Sequence, residues 1–163
     1  MKKVIFVRHG RAEELSHGLS DFERSLTTKG KIVSKQMAAR FKEKEKDTGL
    51  FISSPAFRAL ETALIFAEVA GLNPDNLMLY SDIYTKSGLK VLIGLLPKID
   101  DKYNTITLFG HNPSFTEIPD KMCTEGCEFL TKTSVVCLSF PVDKWTDIKV
   151  DTGKQEYFLK PEK

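Results

Sequence analysis

The chain has 163 residues, with 24 lysines and arginines against 22 aspartates and glutamates and a formal charge of +2. That length suits one domain, residues 1–163, whose core needs neither metal nor disulfide to fold. The balanced charge argues against nucleic acid or an anionic membrane as partner, and no run approaches the roughly 20 apolar residues of a membrane span.

The first element is a short continuous run of β-formers, Val4-Ile5-Phe6-Val7, the pattern of a strand buried on both faces. It is too short for the apolar segment of a signal peptide, so a cytoplasmic location is expected. The run ends abruptly in Arg8, His9 and Gly10. Ligands of open α/β sheets collect beyond the carboxyl ends of the strands, and glycine supplies the turn.

Residues 11–26 are polar and without period, and read as a functional loop over the top of the sheet. His17, with no motif around it, reads as a solvated position in that loop. Thr27 or Thr28 caps a helix carrying Val33, Met37 and Phe41, with Ile32 and Ala38 beside them. Lys42 to Lys46 alternates in sign, as a solvated helix end closed by Gly49 would. Leu50-Phe51-Ile52 is a second buried strand, ending in Ser53-Ser54-Pro55. The next helix, from about Pro55 to Ala70, presents Phe57, Leu60, Ala63, Leu64 and Ala67 to the core and stops at Gly71.

Leu77 to Tyr80 is a third strand, followed by the loop SDIYTKSG and a helix over 88–100. Thr105 to Phe109 is a fourth strand, and Gly110-His111-Asn112-Pro113 breaks it as the first is broken. A helix from Ser114 contains Pro119; Val135 to Phe140 and Ile148 to Val150 read as strands, with Tyr157 to Leu159 a weak last one. The alternation implies a three-layer α/β/α sandwich with a mostly parallel central sheet. Cys123, Cys127 and Cys137 are odd in number, which fits free thiols in a reducing compartment, and no second pair accompanies the first two for zinc.

Three strand tips thus converge, bringing Arg8 and His9, Arg58 one turn into its helix, and His111 to one edge. Two guanidiniums and two imidazoles suit a phosphoryl group, because arginine's planar donor fork matches phosphate oxygens. The helix N-termini after Ser54 and Asn112 add backbone N–H groups.

Arg8-His9-Gly10 together with SSPAFRALETA (53–63) and FGHNP (109–113) resembles the histidine phosphatase superfamily, the phosphoglycerate mutase-like fold. The short length and DFERSLTTKG (21–30) are most similar to its SixA-type phosphohistidine phosphatases. The resemblance implies that His9 is the nucleophile, taking the phosphoryl group onto a ring nitrogen before water removes it. Arg8, Arg58 and His111 would bind the phosphoryl oxygens, with no metal and no cofactor. Arg24 corresponds to an arginine of the SixA-like loop and either contacts phosphate or fastens the loop. Asn112 either lines the pocket or turns the chain, and Gly10 completes the binding set.

The sequence departs from the mutases and broad acid phosphatases at the general acid, since Tyr84-Thr85-Lys86 stands where they carry a carboxylate. Asp21, Glu13 and Glu14 of the first loop are the alternatives. Expelling an alkoxide calls for a proton donor, whereas the imidazole of a phosphorus–nitrogen bond departs more easily. Protein phosphohistidine is therefore the expected substrate. A small phosphorylated metabolite is the second reading, and a phosphate-binding module without turnover the third.

Overall fold

The opening apolar run forms β1 (Lys2–Arg8), whose residues Val4 to Val7 are completely buried, as a strand covered on both faces must be. The structure is a computed structural model that describes residues 1–16 and 18–162; His17, expected on a solvated loop, lies outside the described residues. β1 pairs in parallel with β4 (Thr105–Gly110) and antiparallel with β5 (Val135–Phe140). Beyond β4 lie β2 (Leu50–Ser53) and β3 (Met78–Leu79), both parallel, and beyond β5 lies antiparallel β6 (Lys154–Leu159). The sheet is mixed, in the order β3-β2-β4-β1-β5-β6. Its parallel half is the one whose strand ends share a direction.

Alternation along β1 divides the core between the two faces. Ile5 and Val7 pack with α1 (Thr28–Lys44) and α2 (Phe57–Ala70) through Met37, Phe41, Ala63 and Phe66. Val4 and Phe6 pack on the other face with Ile83 of the single helical turn α3 (Asp82–Thr85), with α4 (Leu89–Leu95) and with α5 (Ser114–Met122). Helices on both faces of a six-stranded sheet make this an α/β sandwich.

Several local expectations are corrected. The side of α2 facing the core carries Ala59, Ala63, Phe66 and Ala67, while Phe57 and Leu64 are exposed. Small side chains let the helix approach the sheet closely, so alanine displaces leucine on the inner face. Ile32 is likewise exposed on α1. That helix starts where expected, with Thr27 Oγ1 accepting from the Gly30 N–H at 2.9 Å, but it ends at Lys44. Glu45 then turns inward, ion-paired with Lys3 and accepting from the Tyr157 hydroxyl at 2.9 Å. The charged run is therefore not wholly solvated, and Gly49, at φ +64°, serves the entry into β2 instead. Part of the loop SDIYTKSG is the turn α3. Ile148 to Val150 is not a strand; the buried Trp145 anchors a 3-10 turn there, and β6 begins only at Lys154.

Candidate active site

Pairing in the parallel half fixes the relative positions of three strand exits. Arg8 is in register with Gly110 and Ser53 with Phe109, and the ladder runs one step further at each end. The His9 N–H donates to Gly110 O and the Ser54 N–H to Phe109 O, each at 3.0 Å. His9, Ser54 and His111 are thereby set side by side, with the two imidazole centroids 5.1 Å apart.

His9 is only 8% exposed. Its Nδ1 lies 2.7 Å from the Gly10 carbonyl oxygen. A carbonyl can only accept, so Nδ1 carries the proton and Nε2 keeps its lone pair. The Arg58 Nε–H points at that Nε2 from 3.4 Å. Burial, outweighing the opposing Gly10 bond and reinforced by His111, Arg58 and Arg8, pushes the His9 pKa down to about 3. The ring is neutral at physiological pH.

At His111, Nε2 lies 2.8 Å from Ser54 Oγ, and that oxygen accepts from the Ala56 N–H at 3.1 Å. The Ser54 hydroxyl proton has no other acceptor among the described residues, so it goes to His111 Nε2. The remaining ring proton is then on Nδ1, which is buried and unpartnered among the described residues. Burial, with Arg58 next, pushes this imidazole down to about 4. A neutral ring with a spare N–H is an oxyanion donor.

Arg58 is buried, and both its terminal nitrogens are held by Asp21: Nη1 donates to the Asp21 carbonyl at 2.8 Å and Nη2 to Oδ2 at 3.1 Å. Arg8 donates from Nη1 to Leu130 O at 3.1 Å, while its buried Nε has no partner among the described residues. The fold thus brings Arg8, His9, Arg58 and His111 together.

Arg24, Asn112 and Gly10 have polar atoms engaged by neighbouring protein groups. Arg24 donates to Asp21 Oδ1 at 2.9 Å and to Glu13 O at 2.7 Å, fastening the first loop. Asn112 donates to Leu130 O at 2.9 Å and accepts from Thr116, which holds the chain after His111. Gly10 gives its carbonyl to His9 and its N–H to Thr62 Oγ1 at 3.1 Å. A Cβ there would lie 2.8 Å from Ser34 Oγ, so close packing adds to the need for glycine.

Of the three candidate acids in the first loop, Asp21 reaches the site and Glu13 and Glu14 stay exposed. Burial raises the Asp21 pKa, but hydrogen bonds from Arg24, Tyr84 and Arg58 outweigh it and hold the carboxyl at about 2. Sequence reasoning missed Ser54, Thr62 and Tyr84. Ser54 had a readable signal, since it follows β2 as His9 follows β1. Among the described residues no His, Cys, Asp or Glu side chains form a group of three or more that could hold a metal ion, and no helix is long and apolar enough to cross a membrane.

A family model, the histidine phosphatase superfamily (branch 1), matches residues 4–78. The match takes in a little under half of the 163-residue chain. The matched segment runs from β1 to the start of β3 and includes Arg8, His9, Gly10 and Arg58. SixA from Agrobacterium tumefaciens is similar in structure at a TM-score of 0.79 and 18% identity, over 98% of this chain and 99% of that one. The protein histidine phosphatase SixA complexed with tungstate gives 0.77 at 19% identity, over 98% and 97%. Phosphoserine phosphatase from Entamoeba histolytica, in complex with 3-phosphoglyceric acid, gives 0.63 at 16% identity, over 99% and 98%. No curated protein matches the sequence. These structures share the phosphoglycerate mutase-like fold with this chain.

Proposed function

We propose that the protein is a metal-independent phosphatase that carries the phosphoryl group on Nε2 of His9 and acts on protein phosphohistidine. One observation carries the reading: the Gly10 carbonyl holds the proton of His9 on Nδ1, leaving the Nε2 lone pair beside Arg58. In the first step that lone pair attacks phosphorus in line, and the electrons of the bond to the leaving group depart with it. Arg8, Arg58 and the Nδ1–H of His111 meet the charge on the transferring oxygens. In the second step water attacks phosphorus, the P–N electrons return to Nε2, and the water's proton passes to solvent.

The substrate preference rests on the proton donor. Asp21, held at about 2, is ionised and cannot donate. An imidazole leaving group tolerates that lack better than an alkoxide. The structural likeness to the SixA proteins points the same way. A small phosphorylated metabolite is the second reading, favoured by likeness to the phosphatase bound to 3-phosphoglyceric acid. The three free thiols support a cytoplasmic location.

Rapid quench with a labelled activated phosphate tests the mechanism. An acid-labile, base-stable phosphoenzyme is expected in the native protein and absent from His9→Ala. Label retained without His9, or turnover with no labelled protein, would overturn the covalent step; stable phosphate binding with no turnover on any substrate would make the protein a binding module. Activity should survive a chelator. Release from a phosphohistidine protein should exceed that from phosphorylated sugars and glycerates, and the reverse order would select the second reading.

A further inference from the structure

The contacts of Asp21 point to a role for a carboxylate that does not serve as the acid. Asp21 accepts one hydrogen bond from each terminal nitrogen of Arg58, from Nη1 at its backbone carbonyl at 2.8 Å and from Nη2 at Oδ2 at 3.1 Å. What remains of the guanidinium's donor set includes the Nε–H, which is the one facing His9 Nε2 at 3.4 Å. The residue holds both terminal nitrogens, Nη1 through its main chain and Nη2 through its carboxylate, and leaves the Nε–H to the reacting nitrogen. Asp21 is itself held from two directions. Arg24 donates to Oδ1 at 2.9 Å from the same loop. The Tyr84 hydroxyl donates to Oδ2 at 2.9 Å from α3.

Tyr84 is fixed in turn by two edge-on ring contacts, with Phe22 at 5.2 Å and with His111 at 5.6 Å. One ring therefore touches a proposed phosphate donor and supports, through Asp21, the arginine facing it. Tyr84 stands in the stretch where a carboxylate would be expected of a mutase.

We propose that Asp21 and Tyr84 are positioning residues: Asp21 orients the Arg58 fork so that its Nε side faces the phosphoryl group on His9, and Tyr84 orients Asp21. This rests on the phosphatase reading of the site. An unrestrained arginine side chain would lose rotamer freedom on binding an oxyanion, a cost that holding the guanidinium in place removes beforehand.

Two measurements on Asp21→Ala, Tyr84→Phe, Arg58→Ala and the Asp21→Ala/Arg58→Ala pair test it. The first is direct titration with inorganic phosphate. The second is phosphoenzyme formation from aryl phosphates whose leaving groups span a wide pKa range. Asp21→Ala should weaken phosphate binding and slow phosphoenzyme formation about tenfold, the effect of losing one such orienting contact. Tyr84→Phe should act in the same direction by a smaller factor, without changing charge. The slowing should be equal for good and poor leaving groups, and removing Asp21 should add nothing once Arg58 is absent.

A loss that steepens with leaving-group pKa would make Asp21 a proton donor and overturn the proposal. Unchanged or tighter phosphate binding would overturn it too, showing that Asp21 is a bystander or a competitor for Arg58. A full Asp21→Ala effect in the Arg58→Ala background would assign the residue to loop structure alone, against the proposal. Native protein that binds no phosphate would instead sink the phosphatase reading itself, an outcome distinct from each of these.

Discussion

The Nδ1–H of His9 donates to the carbonyl oxygen of Gly10, the next residue, at 2.7 Å. The main chain itself thus selects the tautomer of the proposed nucleophile. Phosphorylation is expected at Nε2 alone, and coupling between phosphorus and the ring protons in the NMR spectrum of the trapped phosphoenzyme would identify the nitrogen. Phosphorus on Nδ1 would require the Gly10 bond to break and would refute the assignment.

Much of this was legible because two kinds of signal coincide at β1 and β4: a run of β-formers, apolar in β1 and interrupted only by threonines in β4, that stops at a histidine beside a glycine. Arg58 was legible because a strong helical pattern begins just before it. The Asp21–Tyr84 contact was not, since it joins a loop without period to a single helical turn 63 residues away, and neither has a pattern to read. β6 was weak for a related reason: Lys154 to Glu156 are exposed at the sheet edge, so the strand shows no buried alternation. On α2 the helical period places Ala63 and Ala67 inside as expected, but Ala59 and Phe66 take the inner positions expected of Phe57 and Leu64. Close packing against the sheet, and not bulk, decides which side chains face it.

Ser54 holds His111 by its Nε2 at 2.8 Å and so leaves the Nδ1–H as the spare donor. Ser54→Ala should release the ring and its tautomer together. Phosphate affinity is expected to fall about tenfold, the worth of roughly one hydrogen bond. Calorimetric titration checks this. Unchanged affinity would mean that His111 does not donate to the anion.

Thr62 ties α2 to the turn at Gly10, accepting from the Gly10 N–H at 3.1 Å and donating to Arg58 O at 2.8 Å. It is fully buried. Thr62→Val keeps the shape and leaves the Gly10 N–H without a partner, which should cost about 1–3 kcal/mol in denaturant unfolding. Activity should fall as well, because the Gly10 carbonyl that orients His9 is no longer fixed. A loss of stability with full activity would show that His9 is held without the turn.

The two buried imidazoles predict a particular acid sensitivity. His9 is pushed down to about 3 and His111 to about 4, both from 6.5 and both chiefly by burial. Below pH 6.5 the unfolded chain takes up two protons that the folded chain refuses, so stability is full above that pH and falls on acidification towards 4. Each such proton contributes about 1.4 kcal/mol per pH unit. Asp21, held at about 2 against 3.8, acts in the same direction but only below pH 3.8, outside this window. Urea unfolding of the native protein and of His9→Asn/His111→Asn at pH 7, 6 and 5 isolates the histidine contribution from that of the surface carboxylates. The native protein should lose stability with falling pH more steeply, by nearly two protons' worth at pH 5. Parallel slopes would mean that the rings titrate normally in the folded protein, and that the site is wetter than its burial implies.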